Sequence, residues 1–136
     1  MAVVTSVRSE SAVAFRLFVD SSFPLYPPFT TEMASRRVLE SLDFIAAPMV
    51  NQSDVPFRLL VREHGCTLAY TQMLLPHRLI SDCEYHDLHL HDLQRGWTTD
   101  LGRPVVVQLA GNDPESLVRA AKEVSPWADG IGDMRG

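Results

Sequence analysis

The run Pro104-Val105-Val106-Val107-Gln108-Leu109-Ala110 constrains the fold more than any other part of the chain. It is apolar at almost every position and lacks the in–out alternation of a strand with one wet face. Such a strand needs cover on both faces, as in a parallel sheet flanked by helical crossovers. Leu42-Asp43-Phe44-Ile45-Ala46-Ala47, ended by Pro48, is a second run of this kind. Thr67-Leu68-Ala69-Tyr70-Thr71 and Ala128-Asp129-Gly130-Ile131 supply two more strand starts.

Helix signals fall between these runs. Ser53-Asp54 offers an N-cap and Pro56 suits the first turn, while Phe57, Leu59, Leu60 and Val61 give the apolar positions. Gly65 is placed to end that helix in the left-handed region. Asp113 caps a later helix whose first turn holds Pro114 and Glu115. Leu117, Val118, Ala121 and Val124 predict its apolar stripe, and Ser125-Pro126 its stop.

Alternation of this type predicts an α/β chain with a parallel sheet. The expected fold is the N-terminal portion of a TIM (β/α)8 barrel, with three βα units and the start of a fourth strand. A whole barrel takes about 250 residues, and this chain has 136. Residues 1–41 are expected to be an irregular leader, with Pro24, Pro27 and Pro28 breaking residues 20–31 and Met33 as an alternative start. Residues 42–131 are the barrel part and 132–136 a divergent tail. A four-strand piece would leave sheet edges and apolar faces uncovered, so dependence on another barrel portion is expected.

Composition narrows the function classes. Hydrophobic residues make up 46% and charged residues 21% of the chain, which argues against wholesale disorder. A net charge of −5 is wrong for a free-standing DNA or RNA binder. No apolar stretch of about 18 residues is present, so no membrane span is expected. Cys66 and Cys83 form neither a disulfide framework nor a Cys-x-x-Cys pair, which points to reduced thiols and an intracellular setting, cytoplasmic or nuclear. A mitochondrial presequence is the alternative, with Ser and Arg in its favour and Glu10 and Asp20 against it.

Chemistry in a parallel α/β fold gathers at the carboxyl ends of the strands. Pro48-Met49, Thr71-Gln72-Met73 and Gln108 with Gly111-Asn112-Asp113 lie there. Gln108 is the sharpest clue, because a buried primary amide needs partners and can both donate and accept. That pattern matches the edge of a flavin's pyrimidine ring. A core glutamine bonded to neighbouring backbone is the equal alternative.

The segments F-I-A-A-P-M-V-N-Q-S-D-V-P-F-R (44–58), L-A-Y-T-Q-M (68–73), V-V-V-Q-L-A-G-N-D-P (105–114) and A-D-G-I (128–131), in this order, resemble the tRNA-dihydrouridine synthases. Residues 48–78 are most similar to eukaryotic members acting on the D-loop. The resemblance implies a flavin-carrying barrel in which NADPH reduces FMN, hydride passes to carbon 6 of a uridine in tRNA, and a cysteine acid protonates carbon 5. It places Pro48 and Met49 along the flavin and Gln108 in hydrogen-bond contact with its ring. Gln72 falls where many members carry Glu, and Arg58 is expected to be structural. The Asn-x-Gly-Cys-Pro loop that holds the family's catalytic cysteine does not follow Ile131 in this sequence, so no catalytic residue is assigned, and the family's phosphate-binding loops are not in it either, so weak or no FMN binding is expected. Neither Cys66 nor Cys83 is a suitable substitute.

Two rival readings remain. One is a non-catalytic splice or gene-model fragment acting as an interaction piece. The other is a different α/β enzyme with a metal-binding insertion at Ser81–Asp100, where His86 and His89 share a helix face among acidic residues. A solvated insertion between barrel units is the plainer interpretation of that segment.

Overall fold

The structure is a computed structural model that describes residues 2–9, 12–19, 36, 38–99 and 102–134. Four strands run parallel: β3 (Ile45–Ala46), β4 (Leu68–Leu74), β5 (Val105–Ala110) and β6 (Gly130–Met134). Helices cross between them. They are α1 (Val55–Glu63), the pair α2 (Pro76–Ser81) and α3 (Cys83–Trp97), and α4 (Pro114–Val124) with a 3-10 turn at Ser125–Trp127. Three βα units and a fourth strand are therefore present, as the alternation predicts.

Local chemistry sets the helix limits. Asp54, Asp82 and Asp113 each accept a backbone N–H three residues on, from Phe57, Tyr85 and Ser116. Gly65 ends the turn after α1 at φ +92°, where a side chain would be strained.

The sheet buries both faces of β5. Val107 and Leu109 join Leu74, Leu79, Leu93, Leu117, Ala120, Val124 and Ile131 in the main core under the helices. Val106 faces the other way, packing with Val38, Leu68 and Tyr70. Gln108 alternates with Val107, so it shares the Val106 side.

Several expectations need correction. Residues 2–9 and 12–19, expected to be irregular, are not. They form strands β1 (Ala2–Ser9) and β2 (Ala12–Val19), antiparallel to each other, with β1 parallel to β6. Their Val-, Phe- and Thr-containing runs favour extended structure, and β6 offers an unpaired edge. The resulting sheet order is β2-β1-β6-β5-β4-β3. The expected break at residues 20–31 and the alternative start at Met33 lie outside the described residues. The first barrel strand shrinks to two residues at the sheet edge, with Phe44 68% exposed, because β4 alone pairs with it. Gly132 and Asp133, expected in the tail, are buried in β6.

Two helices also differ from expectation. The α4 stripe is Leu117, Ala120 and Val124, and Val118 points outward. Residues 83–97 of the segment expected to be a solvated insertion form α3, part of the β4–β5 crossover, with one side exposed and the other buried. Its many charges hid the burial of His89, Leu93 and Gly96 along one side.

Candidate cofactor site

The amino-terminal ends of the strands are tied by arginines. Arg62 donates to the carbonyls of Thr67 and Pro104, joining the starts of β4 and β5. Arg103 pairs with the fully buried Asp129 at 2.5 Å and stacks over Trp97 at 3.7 Å. Asp129 also accepts the Val105 N–H at 3.0 Å. Cys66 lies at this end and donates its thiol to the Leu68 carbonyl, remote from the carboxyl side. Such clamps suit the stability face of a parallel fold.

The carboxyl ends are built differently. Ala46, Ala69 and Val105 share one level of the sheet by register. Met49 and Gln108 each lie three residues beyond that level, so β3 and β5 deliver both to the same end. Pro48 is half-buried and Met49 is 39% exposed. Their loop is a tight turn in which Met49 N–H donates to Ser53 Oγ and Ser53 N–H donates back to the Met49 carbonyl.

Gln108 is 6% exposed. Its Nε2 makes one weak bond, 3.3 Å, to the Leu109 carbonyl, which is the neighbouring-backbone alternative in part. Among the described residues no donor serves its Oε1, and the second Nε2 hydrogen is also unused. The carboxamide therefore offers one acceptor and one donor side by side, the complement of a flavin's pyrimidine edge. A flavin ring fits this donor set.

A bulge in β4 sets the neighbouring geometry. Tyr70 pairs with Val106 but Met73 with Gln108, so β4 carries one extra residue between them. Thr71 closes the gap by accepting the Gln108 N–H at 3.1 Å. Gln72 is turned toward the Pro48–Ser53 loop, where its Oε1 accepts the Asn51 N–H at 2.8 Å.

Sequence reasoning missed Gly132, which stands against Gln108 on β6. The Gly-Ile-Gly alternation at 130–132 was the available signal, since a strand glycine often marks a close approach. Arg58 has the structural role expected of it, 2% exposed and bonded to Ser53 O and Asp92. The two histidines of the metal alternative do not converge. His86 faces Asp87 at 3.1 Å and Glu123 of α4 at 4.0 Å while His89 turns inward to Gln72, and no three His, Cys, Asp or Glu side chains among the described residues are grouped to hold a metal ion. Cys83 is exposed at the start of α3.

Comparison with known proteins agrees with this architecture. Residues 45–133 match the dihydrouridine synthase family. The chain is 42% identical over 87 residues to a tRNA-dihydrouridine(16/17) synthase [NAD(P)(+)] of Saccharomyces cerevisiae, covering 64% of this chain and 20% of that protein. It is 37% identical over 98 residues to a rat protein described as tRNA-dihydrouridine(16/17) synthase [NAD(P)(+)]-like, covering 70% and 21%. A human tRNA-dihydrouridine(20a/20b) synthase [NAD(P)+]-like protein is 38% identical over 88 residues, covering 64% and 26%. The chain thus spans between a fifth and about a quarter of the length of these relatives. With four parallel strands in alternation with helices and a match over residues 45–133, it is the N-terminal part of a TIM barrel and belongs to the dihydrouridine synthase family.

Proposed function

We propose that this chain forms the ring-edge side of the flavin site in an enzyme that reduces uridine to dihydrouridine in tRNA, with NAD(P)H as reductant. The observation that carries this reading is the buried Gln108 carboxamide, which keeps an acceptor and a donor unused at the carboxyl end of β5. When bound, FMN supplies the hydride taken from NAD(P)H and given to the uracil ring. Gln108 fixes the ring by its edge. The Pro48–Met49 loop lies against it largely through backbone, and Met49 offers a polarisable thioether to the ring. Gly132 leaves room for the carboxamide to reach its place.

The net charge of −5 means that most contacts to tRNA phosphates come from outside these residues. A reducing, intracellular location fits two unpaired thiols. No helix among the described residues is long and apolar enough to cross a membrane.

Titration of FMN into a protein carrying the complete barrel, followed by flavin fluorescence, tests the site, since weak or no binding is expected of these 136 residues alone. Gln108→Ala should weaken binding about tenfold, the equivalent of one to two lost hydrogen bonds. Equal affinity in the two proteins would remove Gln108 from the flavin site.

A further inference from the structure

We propose that His89 on α3 is a positioning residue for the Pro48–Met49 loop, acting through the Gln72 carboxamide on the backbone N–H of Asn51. The assignment of that loop to the flavin rests on the function proposed above. The linkage itself does not.

Asn51 has a φ of +58°, in the left-handed region that asparagine tolerates. Its N–H points at Gln72, and a backbone N–H only donates. The atom 2.8 Å away must therefore be the carboxamide oxygen. That fixes the other end, so Nε2 faces His89 Nδ1 at 3.4 Å. Nε2 is a donor, so Nδ1 must be unprotonated and accept. Only neutral imidazole with its proton on Nε2 satisfies the chain of three groups.

The surroundings hold His89 in that form. The ring is 8% exposed and edge-on to Tyr85, with centroids 4.2 Å apart. Burial pushes its pKa below the ordinary 6.5, and Arg78 of α2 pushes the same way. Asp92, one turn along α3, acts in the opposite sense, but it is engaged by Arg58 of α1 at 2.9 Å. The β4 bulge is what turns Gln72 toward this partner. A crossover helix thereby sets the conformation of a loop on another strand, through one amide.

Protonation of Nδ1 removes the acceptor. Gln72 then either loses its bond to His89 or turns round and presents Nε2 to the Asn51 N–H, donor against donor. Either way the hold on Asn51 weakens as pH falls.

Amide NMR of the flavin-free 136-residue chain tests this, independently of whether flavin binds. The Asn51 N–H should exchange slowly, and its chemical shift should titrate with a midpoint below 6.5. Gln72→Ala and His89→Ala should each accelerate its exchange about tenfold, the equivalent of one hydrogen bond. His89→Asn, whose side-chain oxygen accepts at all pH values, should keep exchange slow and abolish the titration. Gln72→Glu should shift the His89 midpoint upward, because a carboxylate favours a proton on Nδ1. Unchanged Asn51 exchange in both alanine variants, or a titration that persists in His89→Asn, overturns the proposal.

Discussion

In the parallel register of β5 and β6, Gly132 lies opposite Gln108, and a Cβ on Gly132 would stand 2.7 Å from the carboxamide Oε1. No contact that short survives, so position 132 and the amide are one packing unit. The glycine is what lets a long polar side chain lie flat on the inner face of the sheet.

Gly132→Ala should therefore displace the Gln108 carboxamide and destabilise the chain only modestly, by about 0.5–1.5 kcal/mol, because the atoms it meets are the movable end of a side chain. Adding Gln108→Ala should recover most of that loss, because the truncated side chain no longer meets the new methyl. Urea denaturation of the two single variants and the double variant measures the coupling. Strictly additive effects would mean that the two positions do not share the space.

Asp129→Ala should cost about 3 kcal/mol, since it leaves the Arg103 guanidinium and the Val105 N–H without their buried acceptor. Asp129→Asn should cost less, because its amide oxygen still serves Val105. Denaturant midpoints of both variants test the ranking.

Asp92 joins two helices, accepting from Arg58 Nη1 at 2.9 Å and from the Val55 N–H at 2.8 Å. Asp92→Ala alone strands a buried arginine and should destabilise by about 3 kcal/mol. Arg58→Met with Asp92→Ala should be milder than Asp92→Ala alone. Thermal unfolding of the three proteins decides.

The helix caps make an acid limb. Hydrogen bonds from Ser116 hold the Asp113 carboxyl below its ordinary 3.8. The Tyr85 N–H, aided by Arg78, does the same for Asp82. Because the folded values lie below the unfolded ones, this stabilisation is complete above 3.8 and fades as pH falls through the folded values. Asp113→Asn should flatten the limb while keeping a good cap. Urea midpoints measured down the acid range give the slope.

The strands at 68–74 and 105–110 were legible because both-face burial leaves an apolar signature that needs no partner information, whereas only the start of the strand at 130–134 could be read. Gln108 stood out for the same reason, as a polar interruption of an apolar run. What escaped was burial through polar atoms. α3 reads as charged and solvated, yet His89 turns inward because Gln72 and Tyr85 give it partners. Arg58 sits deeper in α1 than Leu60, which is 52% exposed, because Asp92 and Ser53 meet it there. The β4 bulge could not be read at all, since one extra residue in a ladder leaves no mark in a single strand's composition.

The pairing of β1 with β6 puts Val3 beside Ile131 and Thr5 beside Asp133. During synthesis the first strand emerges long before the last, and its mate does not yet exist. β1 can take its place beside β6 only after residues 130–134 have left the ribosome. Until then β1 and β2 have only each other, as an isolated hairpin that is marginal in water. The β1–β6 pairing thus waits on a contact of high sequence separation, and a pause in translation before residue 130 would leave the β1 edge open to other chains.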